Sequence, residues 1–271
     1  MKYRYQLLLA LVFFHVQAQQ SYIDYVSPFH PIESSSGMVV SQNDLSSQLG
    51  TEILNKGGNA VDAAVAVGFS LAITLPRAGN LGGGGFMLVY IKEKQEIYYI
   101  DYRSSSPLNA NIKDLFNTNL PKDYKKTDFD KSRFGHKASA IPGTVAGLLE
   151  AHRNFGKLSL KEILEPVIKQ ASEGIKVSYD LNKAIESTPQ LFNDPESRKI
   201  YFDNGKPLVK NTLMKRPDLA ETLSHISANG HKGFYEGPTA KKIVEAMNAN
   251  NGFMTLEDFK NYKVNSGSPI S

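Results

Sequence analysis

Along most of the chain apolar residues recur at helical spacing, and one pair of short β-rich runs interrupts them. Leu45, Leu49, Ile53 and Leu54 share a face, Asn43 or Asp44 can cap its start, and Gly57-Gly58 follows its end, so the pattern predicts an amphipathic helix. Asn59 can cap a second helix, Ala60 to about Thr74, in which Ala60, Val61, Ala63, Ala64, Val65, Ala66 and Val67 are apolar nearly all round. A helix without a polar face belongs in an interior, where its alanines and Gly68 let neighbouring backbones come close; Asp62 is its polar exception. Before these helices, Gly37-Met38-Val39-Val40-Ser41 reads as a short strand. After them, Phe86 to Ile91 and Ile97 to Tyr102 are β-rich, and the charged residues Lys92 to Glu96 between them predict a hairpin.

The second half is mainly helical. From Asn109 to Lys137 the chain is polar and charge-mixed, as in surface helix and loop. Ala140-Ile141-Pro142-Gly143-Thr144 then turns into a helix with Val145, Leu148, Leu149 and His152 on one face, ending at Gly156. Ser159 caps the next, which carries Leu160, Ile163, Leu164, Val167, Ile168 and Ala171 to Gly174, and Pro166 inside it predicts a kink or a break. Later helices fit Asp180 to Glu186, Arg216 to Ala228 and Pro238 to Asn248, while Thr255-Leu256-Glu257-Asp258 has the form of a capping-box start. Strands and helices together predict a mixed α/β fold, with no tandem repeat and no Gly/Ser- or Pro-rich linker to divide it.

The amino terminus has another character. Lys2 and Arg4, an apolar run from Leu7 to Val16 and the small residues of Val16-Gln17-Ala18 make a secretory signal over residues 1–18, cleaved after Ala18. A membrane span would need about 20 apolar residues, and this run is shorter and carries His15. Export to the periplasm or the medium is therefore expected, with no membrane contact after the signal is removed. Residues 19–36, punctuated by Ser and Pro, read as an extended arm, and residues 37–271 as the folded domain.

Composition narrows the chemistry. With 41% hydrophobic and 21% charged residues among 271, the chain is expected to fold. Its 31 Lys+Arg against 27 Asp+Glu give a formal charge of +4, too mild to imply nucleic acid or an anionic membrane as partner. The absence of Cys excludes disulfides, thiol nucleophiles and thiolate metal sites, and leaves oxygen and nitrogen to do the chemistry.

Gly82-Gly83-Gly84-Gly85 invites a phosphate-loop reading, yet the order here is helix, glycines, strand, and no Gly-Lys-Ser/Thr follows. The glycines are better read as permitting close packing or positive φ at a helix-to-strand corner, with the bare backbone also able to offer N–H groups to an anion. Arg103 closes the second hairpin strand, where a planar guanidinium fork could grip a carboxylate bidentately, although Asp101 is available as an ordinary salt-bridge partner. His15, His30, His136, His152, His225 and His231 show no metal-ligand spacing, and no Gly-x-Ser-x-Gly elbow exists. Neither a metal nor a cofactor is expected.

Several blocks in fixed order resemble the γ-glutamyltransferase family, also called γ-glutamyl transpeptidases or glutathione hydrolases. They are Lys56-Gly57-Gly58-Asn59-Ala60-Val61-Asp62-Ala63-Ala64-Val65-Ala66, Ala78 to Met87 with its four glycines, Asp101-Tyr102-Arg103, and Pro142-Gly143-Thr144-Val145-Ala146-Gly147. Gly233-Phe234-Tyr235-Glu236-Gly237 and the stretch Thr255 to Tyr262 add support, so the resemblance runs from about Gly37 to Ile270.

That resemblance implies an N-terminal-nucleophile hydrolase with an αββα sandwich, of which this chain is an incomplete part. It implies an exported precursor that cuts itself into two subunits, the new amino-terminal Thr of the small subunit attacking the γ-amide carbonyl of glutathione or another γ-glutamyl small molecule. Arg103 matches the family's Arg that holds the glutamyl α-carboxylate. The family usually places an acidic residue directly after that Arg, and here it is Ser104. The chain is expected to be the large-subunit domain, ending before the self-cleavage site, so that no catalytic residue lies within it and a small subunit is its partner. Two other readings stand beside this one: a non-catalytic remnant or γ-glutamyl-binding fragment, and a related acylase of the same fold.

Overall fold

Two adjoining helices form the centre of the molecule. The computed structural model describes residues 33–111 and 134–269. Helix α1, Asp44–Asn55, is capped by the Asn43 side chain, which accepts from the N–H groups of Leu45 and Ser46. Helix α2, Ala60–Thr74, begins with a capping box in which Asn59 accepts from Asp62 N–H and the Asp62 carboxylate accepts from Asn59 N–H. The all-round apolar pattern has the predicted result: Val61, Val65, Ala66, Phe69 and Ile73 are all buried.

The predicted hairpin forms, with β1, Phe86–Ile91, antiparallel to β2, Glu96–Asp101, in the register Met87↔Ile100 and Val89↔Tyr98. Helix α3, Thr144–Phe155, and helix α4, Leu160–Glu173, pack on α2, and α3 also touches β2. α4 runs on through Pro166 without the expected break, held by the Ser159/Glu162 capping box at its start and by the buried face Ile163, Leu164, Val167 and Ala171. A seam of hydroxyls joins α1, α2 and α4: Ser46 Oγ lies 2.8 Å from both Ser70 Oγ and Thr74 Oγ1, and Ser70 donates to Gln170 Oε1 at 2.7 Å. Burial is affordable for these groups because each has a partner.

Strand β3, Ile175–Lys176, leads into helix α5, Tyr179–Glu186, then a 3₁₀ turn at Pro189–Phe192 and helix α6, Pro195–Tyr201. A tight hairpin follows, β4, Phe202–Asp203, with β5, Lys206–Pro207, turning at Asn204 and Gly205, both of which have positive φ. Strand β6, Leu213–Met214, returns to pair with β3. Helices α7, Pro217–Asn229, α8, His231–Tyr235, α9, Pro238–Ala249, and α10, Leu256–Asn261, complete the layer, α7 lying along α4. Finally β7, Asn265–Gly267, pairs with β2, so the sheet order is β1-β2-β7 with β1 at an edge.

This sheet is covered on one face. Val89 and Ile100 point into the core, while Phe86, Leu88 and Tyr90 on the opposite face of β1 are 64%, 72% and 60% exposed. The expected strand at Gly37–Ser41 does not form: no strand pairs with it among the described residues, and Val39 instead rests against Gly50 of α1 while Met38 and Val40 are exposed. Residues 38 onward belong to one compact unit, and of the preceding unit only residues 33–37 are described, without helix or strand. The signal at 1–18, most of the arm at 19–36 and most of the polar stretch from Asn109 to Lys137 lie outside the described residues. No described helix is long and apolar enough to cross a membrane.

Candidate functional site

The site is built around the segment Asp101-Tyr102-Arg103, where β2 ends. Tyr102 N–H donates to Gly85 O at 3.0 Å and Gly85 N–H to Tyr102 O at 3.3 Å, so the hairpin ladder extends one pair beyond the strands. Behind it stand three glycines. A methyl group at Gly84 would lie 2.5 Å from Ser104 N, 2.6 Å from Tyr102 O and 3.0 Å from Arg103 C. Methyl groups at Gly143 and Gly147 would overlap Tyr102 and, at Gly143, the Tyr262 hydroxyl as well. The glycine run therefore serves close backbone approach, and the alternative of positive φ is not used there.

Four of the blocks picked out in the sequence meet at this segment. Gly83 O accepts from the N–H groups of Gly143 and Thr144 at 2.8 and 3.1 Å, tying the glycine corner to the start of α3. Tyr235 of α8 donates to Pro142 O at 2.8 Å and accepts from Ala146 N–H at 3.2 Å, which fixes the same turn from below. Tyr262, just after α10, donates to Arg103 O at 2.8 Å. The block from Lys56 to Ala66 does not join them. Its Asp62, fully buried, instead accepts from Lys157 N–H at 3.0 and 3.1 Å and from Leu158 N–H at 3.2 Å, and so holds the turn between α3 and α4.

Arg103 itself is exposed, with its guanidinium 5.7 Å from the centre of the Phe86 ring on the open face of the sheet. Asp101, the salt-bridge partner suggested by the sequence, is engaged elsewhere: its Oδ1 accepts from Arg103 N–H at 2.9 Å. Among the described residues no carboxylate forms a salt bridge with the guanidinium. The guanidinium is thus held by the sheet face and by no carboxylate among the described residues.

The tyrosines behind it are firmly placed. The Tyr235 and Tyr262 rings stack with centroids 5.8 Å apart, and His231 stacks on Tyr235 at 4.2 Å. Burial, with a smaller contribution from Asp101, pushes the Tyr262 hydroxyl up to about 12, so it remains a proton donor at neutral pH. Neither tyrosine stood out in the sequence as a site residue, although Tyr262 directly follows the capping-box helix. Of the histidines, His152 Nε2 lies 2.8 Å from Leu158 O and His225 Nε2 3.7 Å from Glu221 Oε1. Among the described residues no cluster of His, Asp and Glu could hold a metal ion.

A cavity of about 630 Å³ lies apart from this segment, lined by Pro76, Arg77, Leu181, Ile185, Leu191 and Tyr201 among others. Its charges are paired with each other or with neighbours, Arg77 with Asp180 at 3.0 Å and Lys183 with Glu186 at 2.6 Å.

The arrangement of the chain matches that of solved proteins. It superimposes on cephalosporin acylase from Bacillus halodurans with a TM-score of 0.74 at 22% identity, over 92% of this chain and 47% of that one, a likeness of fold alone. On Helicobacter pylori gamma-glutamyltranspeptidase the TM-score is 0.81 at 33% identity, over 89% of this chain and 68% of that one. The fold is thus that of an N-terminal-nucleophile hydrolase, of which this chain forms part of the αββα sandwich. Residues 46–271 match the sequence profile described as Gamma-glutamyltranspeptidase, and the chain belongs to that family. It is 40% identical over 245 residues to the glutathione hydrolase proenzyme of Escherichia coli (strain K12), covering 90% of this chain and 41% of that protein. The chain therefore spans about two fifths of the length of that relative.

Proposed function

We propose that this chain is the large-subunit part of a γ-glutamyltransferase, or glutathione hydrolase, that cleaves γ-glutamyl amides such as glutathione. In this reading the nucleophile is a Thr supplied by a small subunit. Its hydroxyl attacks the γ-carbonyl while its α-amine takes the proton; the amine of the substrate leaves with that proton, and the acyl-enzyme passes to water or to an amino acid. This chain contributes recognition: Arg103 presents two of its guanidinium N–H groups to the α-carboxylate of the glutamyl unit. Export follows from the signal at residues 1–18.

The observation that carries the reading is the exposed guanidinium of Arg103, without a salt-bridge partner among the described residues, at the end of a strand braced from three sides. The test is turnover of a γ-glutamyl anilide. Residues 19–271 by themselves are expected to give none, because this reading assigns the nucleophile to the small subunit and binding cannot replace it, and assembly with a small subunit is expected to restore it. Turnover by the chain alone would place a nucleophile within it and overturn the assignment.

A further inference from the structure

The backbone of Arg103 is gripped at both of its polar groups, its N–H by Asp101 and its C=O by Tyr262. The second grip comes from far along the chain, and it is part of a larger clamp. α10 begins with a capping box in which Asp258 Oδ2 accepts from Thr255 N–H and Oγ1, both at 2.8 Å. The other oxygen of the buried Asp258 carboxylate accepts from Leu108 N–H at 2.9 Å. One short helix thus fixes Arg103 through Tyr262 and Leu108 through Asp258, pinning both ends of the turn that follows β2. Tyr262 has little freedom of its own, stacked on a Tyr235 whose hydroxyl is held by Pro142 O and Ala146 N–H.

We propose that Tyr262, backed by Tyr235, is a positioning residue for substrate recognition: its hydroxyl fixes the Arg103 carbonyl, and with it the direction in which the guanidinium leaves the strand. This rests on the reading of Arg103 as the carboxylate-binding group. Tyr262 touches no substrate in this scheme, and its effect passes wholly through Arg103. Loss of the hydroxyl leaves the ring stack and the core in place and frees one end of the Arg103 peptide. The cost therefore falls on binding of the α-carboxylate and leaves the chemical step alone.

The experiment uses the chain assembled with its small subunit, a γ-glutamyl anilide, and a matched γ-aminobutyryl anilide that lacks the α-carboxylate. Tyr262→Phe is expected to raise KM for the γ-glutamyl substrate by about 3- to 10-fold, the range for losing one hydrogen bond, with kcat changed less than about 2-fold. Rates on the carboxylate-free substrate are expected to be the same as wild type. In an Arg103→Lys background the same substitution is expected to add no further change, because the group it acts through is already compromised. A fall in kcat with KM unchanged, or an equal loss on both substrates, or full additivity with Arg103→Lys, would each make Tyr262 merely structural and overturn the proposal. Should Arg103→Lys by itself leave KM unchanged, the carboxylate-binding reading falls first and takes this inference with it. Tyr235→Phe provides a second variant, expected to raise KM in the same selective way by loosening the stack behind Tyr262, and an unselective loss there counts against the proposal too.

Discussion

Replacing Gly84 by Ala is the sharpest steric test of how Arg103 is held. The backbone at Gly84 is not in the left-handed region, so Ala brings no conformational strain and the whole effect is the added methyl group. That methyl would meet Ser104 N at 2.5 Å and Tyr102 O at 2.6 Å, and ordinary contact begins near 3.4 Å, so these atoms must retreat by 0.9 and 0.8 Å. Both belong to backbone, and neither can rotate out of the way. Overpacking of this kind costs about 1–3 kcal/mol. The weak ladder bond from Gly85 N–H to Tyr102 O adds about 0.5–1.5 kcal/mol if it parts. The expected loss is about 1.5–4.5 kcal/mol, or about 3 to 18 °C in Tm at about 2–4 °C per kcal/mol for a domain of this size. Because the displaced atoms flank the Arg103 peptide, kcat/KM on a γ-glutamyl anilide should fall by up to about 100-fold, the scale of a misplacement near 1 Å. The control is Gly82→Ala in the same glycine run, which meets only Asn80 Oδ1 at 3.4 Å and should stay within about 0.5 kcal/mol of wild type. Melting curves and kinetics of the two variants, each assembled with the small subunit, decide the matter. If Gly84→Ala behaves like Gly82→Ala, the backbone braces of Arg103 are not where the structure puts them.

Other expectations follow from the same geometry. Asp62→Asn leaves one acceptor where a carboxylate now serves the N–H groups of Asn59, Lys157 and Leu158; a loss of about 1.5–3 kcal/mol and faster amide exchange at Lys157 and Leu158 are expected, and unchanged exchange would refute the role. Burial lowers His231 from its ordinary 6.5, partly offset by Glu236, so the unfolded chain binds the proton more readily. His231 therefore adds stability in full above pH 6.5 and loses it as the pH falls through the depressed folded value, and His231→Phe should flatten the fall in Tm between about pH 7 and pH 5. Leu88 is 72% exposed on the open sheet face, and the chain by itself is expected to aggregate; Leu88→Lys should improve its solubility while blocking assembly with a small subunit, and assembly at wild-type level would show that this face is not used.

Much of this architecture was readable from residue patterns. The caps at Asn43, Asn59, Ser159 and Thr255 and the glycine stops set the helix boundaries almost to the residue, because such signals are local. Two local expectations gave way to tertiary context. Pro166 is tolerated because the buried face of α4 outweighs the loss of one backbone bond, and Gly37–Ser41 stays unpaired because a strand needs a neighbour that its own sequence cannot supply. The β4–β5 hairpin, turning at Asn204-Gly205, was not among the predicted elements, because each of its strands is only two residues long and shows no periodicity. Tyr235 and Tyr262 had no such signal. What makes them part of the site is a pair of hydrogen bonds to carbonyls of Pro142 and Arg103, and which carbonyl a buried hydroxyl reaches depends on the whole fold.

The bond from Tyr262 to Arg103 joins residues 159 positions apart. During synthesis, at about 5–20 residues per second, Arg103 is polymerised about 8 to 32 s before Tyr262. For that interval the hairpin can form, since its contacts are near neighbours, but the carbonyl of Arg103 has nothing to hold it. The clamp on the Arg103 carbonyl is therefore among the last features a nascent chain acquires. A molecule in which the Arg103 carbonyl is held by Tyr262 has already folded α8 and α10 and closed the long loop between them and the hairpin, so that one bond reports on folding of the chain as far as Tyr262.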